Sequence, residues 1–156
     1  MTLMQPRDLT GTVVAVTGAS SGIGRATTEA LVAAGANVVV GARRLERLTE
    51  LAEELGTDRV VPVEMDVRNP DDNARLVQAA LDTWGRLDTV VANTGIGFYG
   101  SVMDGSDDEI RTMVDTNFTG TVITVRADLP PMIEAGAGDV VIVASAASFS
   151  GGPDKA

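Results

Sequence analysis

A glycine-rich stretch, residues 17–24 (Thr-Gly-Ala-Ser-Ser-Gly-Ile-Gly), joins the apolar run 13–16 to a helix-like segment. A loop of this kind favours phosphate binding, because unpaired N–H groups of the first helical turn and the helix dipole attract an anion. Gly18 suits the sharp turn, Gly22 leaves room for a pyrophosphate, and Gly24 lets the helix pack closely on its strand. The spacing G-x-x-x-G-x-G differs from the common G-x-G-x-x-G fingerprint, and the alternative is a glycine-rich turn without a ligand.

Two arginines, Arg43 and Arg44, follow the next apolar run, about 20 residues beyond the glycine loop. A site for NAD(H) usually has a carboxylate here, which grips the ribose hydroxyls. A guanidinium instead binds a 2′-phosphate through charge-assisted hydrogen bonds. The pair therefore favours NADP(H) over NAD(H). The alternative is that both side chains are merely solvated at a helix start, although the helix dipole disfavours a cation there.

The elements that must position these residues alternate between strands and helices. Unbroken apolar runs predict buried parallel strands, and apolar residues at helical spacing predict the helices between them. The predicted strands are 12–16, 38–40, 60–65, 87–92 and 139–144; the predicted helices run from the glycine loop to Ala34, over 45–55, from the Asn69 cap to about Trp84, and from Ser106 to about Pro130. We expect a Rossmann-like α/β fold, a doubly wound parallel sheet in three layers, α/β/α, forming one domain over residues 1–156.

Composition excludes several function classes. The 156 residues are 44% hydrophobic, enough for a buried core, and 22 acidic against 12 basic residues give a formal charge of −10, which argues against a nucleic-acid surface. The sequence contains no cysteine or histidine, so we expect no disulfide, thiolate nucleophile or metal site. With no apolar leader and no run near the ~18 residues of a membrane span, we expect a cytoplasmic protein.

Further residues follow the later predicted strands, and their order in the chain is informative. Asn93-Thr94-Gly95 follows the fourth strand, Asn117 lies on the apolar side of the long helix, and Ser145 follows the fifth strand. With the Thr-Gly-x-x-x-Gly-Ile-Gly loop, this order resembles the classical short-chain dehydrogenase/reductase family. Thr94 departs from the family's usual alanine.

The resemblance implies a cofactor site. Asp66, after the third strand, would accept a hydrogen bond from the adenine amino group; on residue type alone it could equally well just turn the chain. The cofactor-binding residues implied are Gly18, Ser20, Ser21, Gly22, Ile23, Gly24, Arg43, Arg44, Asp66, Val67, Asn93 and Gly95.

The resemblance also implies catalytic roles. Ser145 would polarise a substrate carbonyl, although a serine at this point is otherwise a routine turn residue. Asn117 would support a proton relay through water to a catalytic lysine; its alternative is an amide bonded to neighbouring backbone. Ile96, Phe98 and Tyr99 would form part of an apolar substrate pocket.

The family's Tyr-x-x-x-Lys pair is not found in the sequence. The only tyrosine, Tyr99, has no lysine four positions on, so we expect it to line a pocket or to pack rather than to catalyse. We therefore expect a chain truncated before that pair and inactive by itself. The expected function of the whole protein is NADP(H)-dependent interconversion of a small-molecule carbonyl and alcohol by a homodimer or homotetramer, and the alternative is a non-catalytic NADP(H)-binding or regulatory protein.

Overall fold

A five-stranded parallel sheet forms the centre of the molecule. The structure, a computed structural model, describes residues 8–97 and 103–145. The strands lie in the order β3-β2-β1-β4-β5. Their bounds are β1 (Val13–Thr17), β2 (Asn37–Ala42), β3 (Val60–Glu64), β4 (Thr89–Ala92) and β5 (Asp139–Ile142). From β1 the chain first adds β2 and β3 on one side and then β4 and β5 on the other. The crevice in which doubly wound sheets bind their ligands therefore lies at the carboxyl ends of β1 and β4.

In the described part of the chain, five α-helices connect or flank these strands. They are α1 (Gly22–Ala33), α2 (Leu45–Leu55), α3 (Pro70–Trp84), α4 (Asp107–Val114) and α5 (Gly120–Ala135). A π-helical segment, Asp115–Thr119, joins α4 to α5. The Asn69 side chain caps α3 by accepting from the Asp71 amide, and Ser106 and Glu109 form a capping box at α4. Among the helices of the described ranges, none combines the length and apolar character needed to cross a membrane.

Alternating strand residues build one apolar cluster on each side of the sheet. Val13, Ala15 and Val90 pack on the side that also holds Leu76 of α3. Val14, Val16, Val38, Val40 and Val91 pack on the other side with Ala52 and Leu48 of α2. Both faces of the central strands β1, β2 and β4 are therefore covered, which confirms the predicted three-layer α/β/α architecture. The edge strand β5 is instead exposed along its whole length.

The long helical region continues past the predicted end near Pro130. Helix α5 contains both Pro130 and Pro131 and ends at Ala135, before Gly136 with φ 69°. Proline removes backbone donors but fixes φ near its helical value. The buried Met132, which belongs to the core, holds the turn that follows in place. Tertiary packing outweighs the two missing hydrogen bonds, and the glycine cap ends the helix instead.

The side of α5 that packs on the body is lined by small and polar residues. Its buried residues are Gly120, Thr124, Asp128 and Met132, four positions apart. The apolar side predicted to hold Asn117 is turned outward instead, and Asn117 itself is exposed. Its polar atoms are satisfied by a loop, as described below.

Candidate functional site

The glycine loop makes a sharp turn between β1 and α1. Gly18 has φ +69°, and its amide donates to the Gly41 carbonyl of the neighbouring strand at 2.7 Å. A Cβ on Gly24 would lie 2.5 Å from the Gly18 carbonyl oxygen, so only glycine permits this close packing of helix on loop. Gly22, with φ +57°, has open space where a Cβ would project. The loop is thus tightly packed against the protein at Gly24, whereas at Gly22 it has free space that a ligand could occupy.

The start of α1 lacks the side-chain cap that α3 and α4 have. Ser21, its N-cap residue, makes no side-chain cap hydrogen bond, and the first turn contains no acidic residue. By contrast, α3 has a capping Asn69 and carboxylates in its first turn. Uncompensated N–H groups at a helix start attract an anion, so the loop and α1 fit a phosphate group.

The loop is also tied to the end of β4. The buried Thr17 hydroxyl oxygen accepts from the amides of Asn93 at 3.1 Å and Thr94 at 3.2 Å. The Asn93 side-chain amide in turn donates to the Thr17 carbonyl at 2.9 Å. Thr17 was not among the predicted site residues, because the pairing of β1 with β4 joins parts of the chain that are far apart in sequence. These bonds fix the two sides of the crevice relative to each other.

The Arg44 side chain, just beyond the end of β2, contacts the glycine loop that follows β1. Its Nη2 donates to the Ser20 hydroxyl at 2.9 Å and to the Ser21 hydroxyl at 3.0 Å. Arg43, beside it, is exposed and close enough to Asp66 to help lower the pKa of that carboxyl. The two guanidinium groups therefore give the end of β2 a positive field next to the glycine loop.

Asp66, at the end of β3, is bound by Arg68. The Arg68 backbone amide and its guanidinium Nε both donate to Oδ1 at 3.0 Å, and this guanidinium is the main cause that holds the pKa of Asp66 below its ordinary value. The backbone N–H of Asp66 donates to Asp72 at 2.8 Å. Arg68 was not among the predicted site residues, since a neighbour two positions away has no distinctive pattern. Its presence means that the Asp66 carboxylate is ionised and directed by a cation.

Asn117 lies in the π-helical segment and binds the loop after β4. Its Oδ1 accepts from the Ile96 amide at 2.8 Å, and its Nδ2 donates to the Ile96 carbonyl at 2.8 Å. A π-turn inserts an extra residue into a helix and is frequent at functional sites. The paired bonds hold the 93–96 segment against the helix. This is the backbone-bonded arrangement that the sequence left open, and it leaves the relay role a prediction.

These elements enclose one cavity of about 410 Å³ at the carboxyl ends of the strands. It is lined by Gly18, Ser20, Ser21, Ile23, Ala42, Arg43, Arg44, Met65, Asp66, Val67, Arg68, Asn93, Thr94, Gly95, Ile96, Thr112 and Thr116. Most of the predicted cofactor-binding residues are therefore brought together. A cleft next to it is lined in part by Gly22.

The remaining predicted residues lie apart from this lining. Gly24 packs behind the loop, and Asn117 contacts the lining through Ile96. Ser145 follows β5, is exposed and does not line the cavity. Phe98 and Tyr99 lie outside the described residues. Among the described residues, no group of three or more carboxylates could hold a metal ion.

Comparison with known proteins agrees with this geometry. The family model described as short chain dehydrogenase matches residues 12–156. An uncharacterized oxidoreductase of Staphylococcus aureus is 38% identical over 141 residues, which cover 90% of this chain and 61% of the relative. The chain thus spans about three fifths of the length of that relative.

Two solved structures share the fold. A short-chain dehydrogenase/reductase from Brucella melitensis superimposes with a TM-score of 0.88 at 26% identity, covering 97% of this chain and 64% of the other. An alcohol dehydrogenase from Thermococcus sibiricus, complexed with 5-hydroxy-NADP, gives a TM-score of 0.85 at 31% identity, covering 92% and 62%. With the sheet order, the glycine loop and the family match in agreement, the chain belongs to the short-chain dehydrogenase family.

Proposed function

We propose that the protein is an oxidoreductase that interconverts a small-molecule carbonyl and an alcohol with NADP(H) as its cofactor. The observation that carries the choice of cofactor is the position of Arg43 and Arg44 at the end of β2, beside the hydroxyls of Ser20 and Ser21. The Thermococcus sibiricus alcohol dehydrogenase, which is complexed with an NADP derivative, supports the same class. When bound, the nicotinamide would donate or accept the hydride.

The cavity residues fit the adenine end, the 2′-phosphate and the pyrophosphate of such a cofactor. The open space at Gly22 and the uncapped start of α1 would accept the pyrophosphate. Arg43 and Arg44 would bind the 2′-phosphate through charge-assisted hydrogen bonds, while Asp66 and Val67 would border the adenine. Arg44 already donates hydrogen bonds to two loop serines, so its guanidinium would be held in position before the 2′-phosphate binds.

The catalytic assignment in this proposal rests on Ser145 and Asn117. Ser145 would donate a hydrogen bond to the substrate carbonyl oxygen and so stabilise the charge that develops there. Asn117 would keep the 93–96 segment in position beside the reaction centre through its two bonds to Ile96. A third group must exchange the proton with that oxygen, and we assign it to a Tyr-x-x-x-Lys pair in the full-length protein.

The pattern of exposed apolar residues supports a homo-oligomer. Ile110, Val114, Phe118 and Val122 recur every four residues along α4, the π-helical segment and α5, and each is exposed. We propose that this face, called the outer face below, is buried between subunits. The assignment to the cytoplasm remains a prediction.

The cofactor proposal is tested by titrating the purified protein with NADPH and NADH and following the change in nicotinamide fluorescence. We expect NADPH to bind at least about tenfold more tightly, because charge-assisted bonds to the 2′-phosphate are made only with that cofactor. Arg43→Ala should weaken NADPH binding by about tenfold and leave NADH binding within about twofold.

Arg111→Ala is the matched control for this titration. Arg111 is exposed on α4, and its ion pairs with described residues are to Asp107 and Asp108 of its own helix, so its removal should change neither affinity. Equal affinities of the parent protein for NADPH and NADH would refute the cofactor preference. Absence of binding to either would refute the proposed function.

A further inference from the structure

A buried polar contact connects α3 with α5 behind the cofactor cavity. Thr124 of α5 and Asn73 of α3 are each 1% exposed. The Thr124 hydroxyl donates to the Asn73 Oδ1 at 2.7 Å. A buried hydroxyl and a buried amide are costly unless satisfied, so this contact requires a specific pairing.

The other end of the Asn73 side chain holds the loop that follows β3. Its Nδ2 donates to the Val67 carbonyl at 2.9 Å and to the Asn69 carbonyl at 2.7 Å. Both partners are carbonyl oxygens, which only accept, so the NH₂ group must face them and Oδ1 must face Thr124. The Thr124 hydroxyl is therefore required as the donor. Without it, Oδ1 would be a buried acceptor with no partner.

Helix α5 also touches the same loop directly. A Cβ on Gly120 would lie 2.7 Å from Cγ2 of Val67, so the helix backbone packs against that side chain. Gly120 and Thr124 are one turn apart on the buried side of α5. The helix thus holds Val67 twice, at its side chain through Gly120 and at its carbonyl through Thr124 and Asn73.

This loop forms one wall of the proposed nucleotide site. Met65, Asp66, Val67 and Arg68 all line the 410 Å³ cavity, whereas Thr124 does not. The Asp66 carbonyl accepts from the Asn69 amide at 2.9 Å, so a shift of the Asn69 segment is passed on to Asp66.

We propose that Thr124 is a positioning residue for the adenine end of the cofactor site, acting through Asn73 on the loop 65–69. This inference rests on the proposed function, since it assigns the loop to an adenine nucleotide. Thr124 itself touches no part of the cavity. It fixes the positions of the Val67 carbonyl and the Asp66 side chain in the wall of the cavity that would bind the nucleotide.

The test compares Thr124→Val with Thr124→Ser in the full-length protein. Valine has nearly the shape of threonine but lacks the hydroxyl, whereas serine keeps the hydroxyl. With 2′,5′-ADP as the probe in isothermal titration calorimetry, we expect Thr124→Val to raise the Kd roughly three- to tenfold, the effect of losing one hydrogen bond. Thr124→Ser should stay within about twofold of the parent protein.

A second measurement separates positioning from general weakening. Amide hydrogen exchange without nucleotide should be faster over residues 65–69 in Thr124→Val and unchanged over β1 and β2. The control is Thr83→Val in α3, whose hydroxyl donates to the Ala79 carbonyl of the same helix. It should leave both the 2′,5′-ADP affinity and the loop exchange unchanged.

The possible failures have different meanings. If the parent protein binds 2′,5′-ADP and Thr124→Val binds it equally well, the positioning role is refuted and the proposed function stands. If exchange accelerates equally across the whole chain, the role of Thr124 is general stability and the inference is also refuted. If the parent protein does not bind 2′,5′-ADP, the proposed cofactor site fails, and the positioning role fails with it.

Discussion

Asp128 is a buried carboxyl group that the proposed chemistry does not use. It is 1% exposed, and neither of its carboxyl oxygens has a hydrogen-bond partner among the residues that the structure describes. Burial is the cause that raises the pKa of Asp128 to about 7. Because a buried charge without a partner is costly, the folded chain favours the protonated form.

This shift makes the stability of the fold depend on pH. The folded pKa is raised above the ordinary value of 3.8, so between about pH 4 and pH 7 the unfolded chain has lost a proton that the folded chain keeps. Stability is therefore greatest below this window and falls as pH rises through it. Asp128→Asn, neutral in both states, should gain stability over the parent protein as pH rises, reaching on the order of 4 kcal/mol above pH 7.

Urea unfolding at several pH values between 4 and 8 measures this difference. Glu134→Gln is the control, because Glu134 lies exposed on the same helix and its neutralisation should produce no comparable trend. An Asp128→Asn difference that stays constant between pH 4 and pH 8 would contradict the buried, protonated carboxyl.

At the scale of elements, Asp88 holds the starts of three strands together. Its side chain accepts from the Val13 amide at 2.8 Å, its own amide donates to the Val13 carbonyl at 2.9 Å, and its carbonyl accepts from the Asp139 amide at 2.9 Å. Burial alone would raise the pKa of Asp88, but hydrogen bonds from Arg86 and Val13 hold it below its ordinary value. The ionised carboxylate therefore stabilises the entry of β1, β4 and β5 into the sheet.

Asp88→Asn should destabilise the fold by on the order of 1 kcal/mol at pH 7, since a charge-assisted bond becomes a neutral one. The folded pKa is depressed, so this stabilisation is present above about pH 4 and is lost as pH falls through the folded pKa. Thermal unfolding should show a larger difference between variant and parent at pH 7 than at pH 3. The same loss at both pH values would point to altered packing instead.

The strand–loop–helix order could be predicted because its signals are local. The turn at Gly18, the Asn69 cap and the Ser106 capping box all depend on residues within a few positions of one another, and the structure has each of them. The end of α5 could not be predicted in this way. Packing of Met132 into a core drawn from other elements outweighs the local signal of Pro130.

The site could be predicted as a set of residues but not as a network of contacts. The sequence predicted that Arg44 and Ser20 belong to the same site. Their hydrogen bond could not be predicted, because it spans 24 positions and depends on how β1 and β2 are paired. The bonds between Asn117 and Ile96 span 21 positions and depend on the π-helical segment. Such contacts follow from strand pairing and helix placement, which residue type and spacing do not specify.

For the molecule as a whole, the outer face is unusual because it exposes several large apolar side chains to solvent. Phe118 is 69% exposed and Val122 is 51% exposed, on a chain whose formal charge is −10. Contiguous apolar surface of this kind marks an interaction site in a folded protein. A second copy of the chain offers the same face, and burying it between two copies would exclude Phe118 from water in both.

Phe118→Glu should therefore convert the proposed homo-oligomer to monomers. A glutamate within an apolar interface would have to lose its hydration when the subunits associate, so the cost of its desolvation opposes association. Sedimentation equilibrium should show a dissociation constant at least about a hundredfold higher than that of the parent protein, equivalent to roughly 3 kcal/mol. Circular dichroism should stay unchanged, because an exposed side chain contributes little to the core.

Thr83→Glu adds the same charge on an exposed turn of α3 and should leave the oligomer intact. A parent protein that sediments as a monomer would refute the outer face as a subunit contact, and an oligomer that survives Phe118→Glu would place the contact elsewhere on the molecule. If dissociation also lowers NADPH affinity, the outer face and the cofactor site are linked. Asn117 supplies a physical route for that link, since it neighbours Phe118 and holds Ile96 at the cavity wall.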